Sequence, residues 1–307
     1  MEIEDSRQFN TTTFTNNKKT TVIKELEKCI YYQKLDEALI WTGDLLCSGF
    51  IVELWNLYIH ILCKYIHIHN SKITLYIHKK FIEFKKIFDN CVTNLDLRNK
   101  EEARVLFFSI TTILCESNKD TILECMSFVF DFDEIFTNLK AHNMKYIQDI
   151  FKDGDPKEIF IPLNELAYHL METKNKKDIF YWIEWIIAYD NKLTKNKKQI
   201  KCIQREFIHS NIMNIVWIIW EIMMNINPQS PMHKIILGLF ELFSIKYTVA
   251  HNYKKKDLLM FSAMMIIHEQ HIQFDKKVID NTEVFSLLAE KTNKTFEQLK
   301  KSERHSE

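Results

Sequence analysis

The chain contains very few of the residues that interrupt helices. Only four glycines and four prolines are spread over 307 residues. Turns and strand connections in β and α/β proteins depend on such residues, so their scarcity argues against both classes. Hydrophobic residues make up 46% of the chain, enough to form a substantial core. We therefore predict an all-α protein with one large or two average domains.

Apolar residues recur at helical spacing along most of the chain. One segment, Lys72 to Asp89, places five of them on a single face: Ile73, Ile77, Phe81, Phe84 and Phe88. Similar spacing predicts further helices at about 21–33, 35–48, 50–69, 97–117, 119–130, 162–173, 177–190, 210–226, 231–247, 256–272 and 282–302. Because the connections are short, neighbouring helices are expected to form stacked antiparallel hairpins.

Two helix starts and one turn are marked by their residue types. Ser230 followed by Pro231 is typical of an N-cap and a first helical position. Asp155, before Pro156 and three residues ahead of Glu158, predicts a second capped start. Gly154 just before it indicates the clearest turn in the middle of the chain.

Six tryptophans occur in three pairs, and the sequences around them suggest a duplication. The pairs are Trp41/Trp55, Trp182/Trp185 and Trp217/Trp220. Trp41 and Trp182 each end a similar short helical stretch, which predicts two related halves. Aromatic rings can act as stacking platforms for nucleic-acid bases. The six tryptophans lie on helical faces with other apolar residues, and we therefore assign them to the structural core.

The expected organisation follows from this duplication and from composition. Residues 1–20 are rich in Thr and Asn and are predicted to be a disordered arm. The N-terminal helical half is predicted at 21–152 and the C-terminal half at 153–292. The second half carries a basic insertion at 190–205, and a charged tail is predicted at 293–307.

Positive charge is local rather than global. The chain has 41 basic and 41 acidic residues, which excludes a globally basic nucleic-acid-binding protein. Two groups of basic residues are candidates for phosphate contact: Lys72, Lys79 and Lys86 on the predicted helix, and Lys192, Lys195, Lys197, Lys198, Lys201 and Arg205 in the insertion. Each group can also be an ordinary solvated surface, since exposed lysines need no function, and the sequence leaves both interpretations open.

No catalytic or metal-binding motif is present. The four glycines form no P-loop, dinucleotide fingerprint or nucleophile elbow. Possible carboxylate pairs, such as those at positions 101–102 and 131–134, lie in polar stretches that are typical of helix starts. Five residues lack the paired spacing of a zinc site: His60, Cys63, His67, His69 and His78. His268 and His271 are one residue too close for a zinc-hydrolase motif. We predict a protein that is not an enzyme and has no metal or cofactor.

Cysteine usage and hydropathy indicate an intracellular protein without a membrane span. The seven cysteines include no CxxC pair, which is typical of a reducing compartment. Residues 1–20 do not resemble a signal peptide. The apolar run from Ile215 to Met224 is shorter than the roughly 20 residues needed to cross a bilayer.

The segment from Leu26 to Asn70 resembles a known helical module. The motifs are Lys28-Cys29-Ile30, then Leu35 to Trp41, then Leu45 to Gly49. They are similar to the helical C-terminal region of the MgsA/RarA-type AAA+ proteins, which are relatives of clamp loaders. The acidic pair and glycine that follow in that family are here Lys64-Tyr65 and His67. The resemblance implies a helical-hairpin shape, and no ATPase because the AAA+ module is missing.

A second resemblance covers most of residues 22–250. Asp155 to Glu158, Ile161 to Leu170 and Trp217 to Glu221 resemble uncharacterised helical proteins of large DNA viruses. The two resemblances imply a non-catalytic accessory protein of viral DNA replication or repair, similar to a clamp-loader collar. Its expected partners are an AAA+ clamp-loader subunit or a sliding clamp, with DNA as a further partner. The host cytoplasm or a viral factory is the expected location, and packaging in the virion is not excluded.

The alternative is a helical protein–protein interaction scaffold, structural or host-directed, that is unrelated to DNA.

Overall fold

The fold is all-α, as predicted. The computed structural model describes residues 2–119, 130–132, 135, 137–198, 200–274, 277–279 and 283–304. Within these ranges no β-strand forms, and one isolated bridge joins Thr12 and Lys18. The α-helices are α1 (Lys19–Tyr31), α2 (Leu35–Cys47), α3 (Ile51–Ile61), α4 (Lys72–Phe88), α5 (Glu101–Glu116), α6 (Phe160–Tyr168), α7 (Lys176–Lys195), α8 (Val216–Asn225), α9 (Pro231–Ser244), α10 (His251–Lys254), α11 (Lys256–Ile267) and α12 (Leu288–Lys300). The helix predicted at about 119–130 lies almost wholly outside the described residues.

Short helical turns of other types continue several of these helices. A π-helical turn at Leu62–Ile66 and a 3-10 turn at His67–Asn70 follow α3. A second π-helical turn at His169–Thr173 follows α6. Further 3-10 turns lie at Asn94–Asn99, Lys157–Ile159, Glu269–His271 and Glu283–Phe285. The predicted helices at 50–69 and 162–173 therefore exist, but only their first parts are α-helical.

The chain divides into two compact units at positions that differ from the prediction. One unit contains Met1–Ile122 together with Asp275–Glu307, and the other contains Leu123–Phe274. The predicted boundary near residue 153 is therefore wrong, because the turn at Gly154 lies inside the second unit. The structure does not confirm that the two units are duplicates.

The first unit is built around α5. This helix packs against α1, α2, α3, α4 and α12. Beyond its first turn, which contains Glu101 and Glu102, nearly all of its residues are buried. Trp55 of α3 lies beside Phe107 of α5 and the rings of Phe81 and Phe84, with centroids 5.0 to 5.8 Å apart. Aromatic edge-to-face contacts of this kind add to the energy of simple burial.

Helix α4 has the amphipathic character that its sequence predicts. Ile73, Ile77, Phe81 and Phe84 are buried, and Phe88 at the end of the helix is half-buried. The opposite face is exposed at Lys79. Here the 3.6-residue period alone identified both faces, because a helix packed on one side buries one stripe.

The C-terminal residues form part of the first unit rather than a charged tail. Helix α12 packs against α2 and α5 and buries Leu288, Phe296 and Leu299. Gly43 of α2 permits this approach, because a Cβ added there would lie 2.6 Å from Cδ1 of Leu299. The prediction of a charged tail at 293–307 is therefore wrong for residues 293–300, which belong to α12. The apolar residues of α12 are few, but they share one helical face.

The N-terminal residues are also packed, so the predicted disordered arm is wrong. Phe14 is fully buried, and its backbone N–H donates to Oγ of Ser48 over 2.7 Å. Thr15 donates to the buried carboxylate of Asp44 from both its backbone and its side chain, over 2.9 and 2.8 Å. The Thr- and Asn-rich composition suggested disorder. Thr15 and the backbone of Phe14 instead pair with Asp44 and Ser48, buried polar groups that would otherwise lose these hydrogen bonds.

Helix α11 of the second unit contains a continuous buried stretch. All nine residues from Leu258 to Ile266 are buried. A helix that is apolar on every side must be surrounded by other elements, and α11 packs against α7, α8 and α9. In addition, α6 packs against α7, and α8 packs against α9.

Four tryptophans form the core of this second unit. Trp182 and Trp185 of α7 and Trp217 and Trp220 of α8 are each at most 1% exposed. Trp217 and Trp220 lie against the aromatic rings of α9. Trp55 in the first unit is buried too, whereas Trp41 is only half-buried. The assignment of Trp41 to the core is therefore too strong.

One of the two predicted helix starts is confirmed. The side chain of Ser230 accepts the N–H of Met232, with Pro231 at the first position of α9. Asp155 does not cap a helix: a 3-10 turn starts after Pro156 without a side-chain cap. The carboxylate of Asp155 is used in a buried ion pair.

Candidate binding surfaces

The basic insertion is partly helical. Helix α7 continues through Lys195, so the first six residues of the predicted insertion at 190–205 belong to it. The helix ends in a tight turn, in which Lys197 adopts a left-handed conformation with φ of 58°. The backbone N–H of Lys198 then donates to the carbonyl of Leu193 over 2.9 Å. Such a turn satisfies carbonyls at the end of a helix.

Five lysines around this turn are exposed, and together they are named the lysine segment. Its members are Lys192, Lys195, Lys197, Lys198 and Lys201. No acidic residue occurs between positions 192 and 201, so the local charge is positive without internal compensation. The Nζ atom of Lys192 also lies 5.0 Å from the centre of the Phe130 ring, a cation–π distance.

A buried polar cluster anchors the start of the lysine segment. Asp190 of α7 is 1% exposed, and its carboxylate accepts hydrogen bonds from the amides of Asn214 and Asn252 over 3.0 to 3.2 Å. Tyr247 donates to the amide oxygen of Asn252 over 2.7 Å. Burial raises the pKa of Asp190, and the two amides offset only part of that effect. The cluster joins α7 to α10 and to the residues before α8.

Arg205 anchors the other end, and its prediction as a phosphate contact is wrong. Its side chain is fully buried. The guanidinium donates to both oxygens of Asp155 over 2.6 and 2.5 Å, and to Glu221 over 2.8 Å. It also donates to the carbonyl of Ile203 over 2.5 Å. It donates as well to the carbonyl of Ile150 over 3.4 Å, so all five N–H donors have partners and none is available for an external phosphate.

The pKa shifts agree with a fixed ion pair. Burial alone would raise the pKa of Asp155, but hydrogen bonds from Arg205 and from the backbone of Lys152 and Ile203 lower it overall. Burial likewise disfavours the charged form of Arg205, and the carboxylates of Asp155 and Glu221 more than compensate, so its pKa is raised. Both groups are therefore charged over the ordinary pH range.

Sequence reasoning missed both anchors. Charge alone groups Arg205 with the lysines. One signal was available: it is the single arginine of the group, and arginine's planar fork suits buried carboxylate pairs better than lysine does. Asp190 and Asn214 lie among apolar residues at helical spacing, which is a signal for buried polar groups.

On α4, the exposed face combines lysines with apolar side chains. Leu75, Lys79, Ile82 and Lys86 are all exposed and lie within about 60° of one another around the helix. These four residues are named the α4 row. Lys72 is half-buried and lies at its edge. The structure thus places two of the three predicted lysines on one open surface.

The surroundings of His60 and Cys63, two of the candidate metal ligands, are not those of a metal site. Nε2 of His60 lies 3.5 Å from Oε1 of Glu27. The His60 hydrogen bond is the largest influence on Glu27 and, with a bond from Tyr65, lowers the pKa of that carboxyl to about 2. Cys63 is fully buried, and none of the six cysteines that the structure describes forms a disulfide. In the described residues, no three His, Cys, Asp or Glu side chains lie close enough together to hold a metal ion.

The fold and these surfaces define a class: an all-α protein with two helical units and two exposed basic surfaces, the lysine segment and the α4 row. Among the residues described, no helix is both long and apolar enough to cross a membrane. Comparison with protein-family models, curated protein sequences and solved structures found no match to this chain.

Proposed function

We propose that the protein is a non-catalytic accessory factor that binds DNA through the lysine segment. One observation carries this proposal: five lysines are exposed within a short stretch that is anchored at both ends by buried polar groups. Anchoring matters because a surface that is already ordered loses less conformational entropy on binding. Lysine side chains that project from such a turn suit the phosphate backbone, whose contacts do not depend on base sequence.

The biological process in this proposal comes from the resemblances. Similarity of residues 26–70 to the helical region of MgsA/RarA-type proteins suggests replication or repair of DNA. An AAA+ clamp-loader subunit or a sliding clamp would then be the protein partner. The similarity to helical proteins of large DNA viruses suggests the host cytoplasm or a viral factory as the location.

The test is the salt dependence of binding to a fluorescent DNA duplex. Each phosphate contact contributes about 0.9 to the slope of log K against log salt. We expect the triple variant Lys195→Glu/Lys197→Glu/Lys198→Glu to bind more weakly and to lower the slope by roughly 2 to 3. The matched control carries the same changes at three exposed lysines elsewhere in the second unit: Lys145, Lys157 and Lys234. Absent or salt-independent binding would refute the proposal, as would equal loss in the control.

The alternative function is a helical protein–protein interaction scaffold. The exposed apolar residues of the α4 row favour it, because phosphate contact does not require them. Affinity purification from infected cells distinguishes the two functions. A sliding clamp or AAA+ subunit among the recovered proteins would support the accessory role, whereas capsid or host proteins alone would support the scaffold.

A further inference from the structure

The α4 row repeats every seven residues. Leu75 and Ile82 are seven positions apart, and each is followed four positions later by a lysine, Lys79 or Lys86. The four side chains extend over about 16 Å along the helix. Leu75 is 37% and Ile82 is 41% exposed. With Leu75 and Ile82 at heptad position a, Lys79 and Lys86 fall at position e, which flanks the contact between two paired helices.

The charge of this surface is predominantly positive. Glu83 is the single acidic residue of α4, and Lys80 holds its carboxylate at 2.6 Å. Lys85 lies over the Phe81 ring at 4.9 Å and remains exposed beside the row. Lysines at the flanking positions of a helix pair favour glutamate or aspartate on the facing helix. Charge complementarity therefore selects an acidic partner.

The helix beneath the row is held firmly by the core. Its opposite face places Phe81 and Phe84 against Trp55, with ring centroids 5.0 and 5.5 Å away. A partner would thus meet a surface that needs no rearrangement, which lowers the entropic cost of binding.

We propose that the α4 row is a docking site for an acidic amphipathic helix of a partner protein. The apolar residues of that helix would cover Leu75 and Ile82, and its carboxylates would pair with Lys79 and Lys86. Nucleic acid is the less favoured occupant, because Leu75 and Ile82 gain nothing from phosphates. The site is independent of the lysine segment and does not rest on DNA binding.

The experiment uses the full chain and two stapled helical peptides of about five turns. Both carry leucines at heptad a and d positions; one has glutamates at the flanking positions and the other has lysines. We expect fluorescence anisotropy to show at least about tenfold tighter binding of the acidic peptide, with a decrease at higher salt. Lys79→Glu/Lys86→Glu should abolish that preference, and Ile82→Asp should weaken binding by about tenfold.

The matched control is Lys24→Glu/Lys294→Glu, which changes two exposed lysines of the same unit. It should bind the acidic peptide like the wild type, as should the lysine-segment triple variant. Unchanged melting temperatures would show that all variants are folded.

Several outcomes would overturn the proposal. They are equal affinity for the two peptides, no binding of the acidic peptide, or equal loss in the control. DNA binding that depends on the α4 row without peptide binding would assign the surface to nucleic acid. Self-association that disappears with Lys79→Glu/Lys86→Glu would assign it to a second copy of the chain.

Discussion

The guanidinium of Arg205 lies against the carboxylate of Asp155, with nitrogen–oxygen distances of 2.5 and 2.6 Å across 50 positions of the chain. Both side chains are fully withdrawn from solvent. The pair connects the residue after the Gly154 turn to the end of the lysine segment. A residue that seemed to belong to a binding surface is thus part of the support beneath it.

Replacing Arg205 should destabilise the protein strongly. Arg205→Met would leave Asp155 and part of Glu221 as buried carboxylates without a counter-charge, a loss of about 3–5 kcal/mol. Urea denaturation measures the free energy of unfolding. Lys198→Met is the control and should change it by no more than about 0.5 kcal/mol, because that lysine is exposed. Similar effects of the two substitutions would contradict the buried position of Arg205.

Gly43→Ala should destabilise the first unit although alanine favours helices. The added Cβ would meet Cδ1 of Leu299 at 2.6 Å, and overpacking costs about 1–3 kcal/mol, which the gain of about 1 kcal/mol in helix propensity offsets in part. In a double-mutant cycle, Leu299→Ala should cost less in the Gly43→Ala background than in the wild type. Additive effects would argue that α12 does not pack closely on α2.

The tryptophans should differ in their contribution to stability. Trp182 is 1% exposed, so Trp182→Ala should cost about 3–5 kcal/mol. Trp41 is half-buried, and Trp41→Ala should cost about 1–2 kcal/mol because part of the ring already contacts water. Thermal or chemical denaturation compares the two. An equal loss of stability would show that Trp41 belongs to the core. No loss in Trp182→Ala would contradict the assignment of Trp182 to the core.

The N-terminal segment should make stability depend on acid pH through Asp5. Burial alone would raise its pKa, but hydrogen bonds from Arg7 and from the backbone of Arg304 lower it to about 2. Since this pKa is depressed, its contribution is present above pH ~4 and is lost as the pH falls towards ~2. That contribution is roughly 2 kcal/mol.

Asp5→Asn should therefore lose about 2 kcal/mol at neutral pH and flatten this part of the acid transition. Chemical denaturation across pH 7 to pH 2 measures both effects. Asp36→Asn is the control, since its side chain is 82% exposed and paired only at the surface. An identical acid transition in Asp5→Asn and the wild type would contradict the role of Asp5.

Helix class and helix faces were predictable, whereas chain ends were not. The α4 stripe from Ile73 to Phe84 needed only the 3.6-residue period, since that period is a local property. The burial of Phe14 and Phe296 was missed because each depends on a partner distant in sequence: Ser48 accepts the backbone N–H of Phe14, and Phe108 meets the Phe296 ring at 5.6 Å. Composition alone cannot reveal such long-range partners.

For the candidate surfaces too, local features were predictable from the sequence and long-range partners were not. The exposed positions of Lys195, Lys197 and Lys198 follow from a polar stretch without apolar periodicity, and the sequence was enough to find them. The role of Arg205 required the positions of Asp155 and Glu221, which come together only when the second unit folds.

The sequence by itself determined an all-α chain, the apolar face of α4 and the presence of two lysine groups, because helix formation and amphipathicity depend on near neighbours. The tertiary structure alone decided which of those charges are available. It buried Arg205 between two carboxylates, packed Phe14 and Phe296 into the core of the first unit, and left the face of Leu75, Lys79, Ile82 and Lys86 open to solvent. Long-range packing selects which side chains lose contact with water, and no local pattern contains that information.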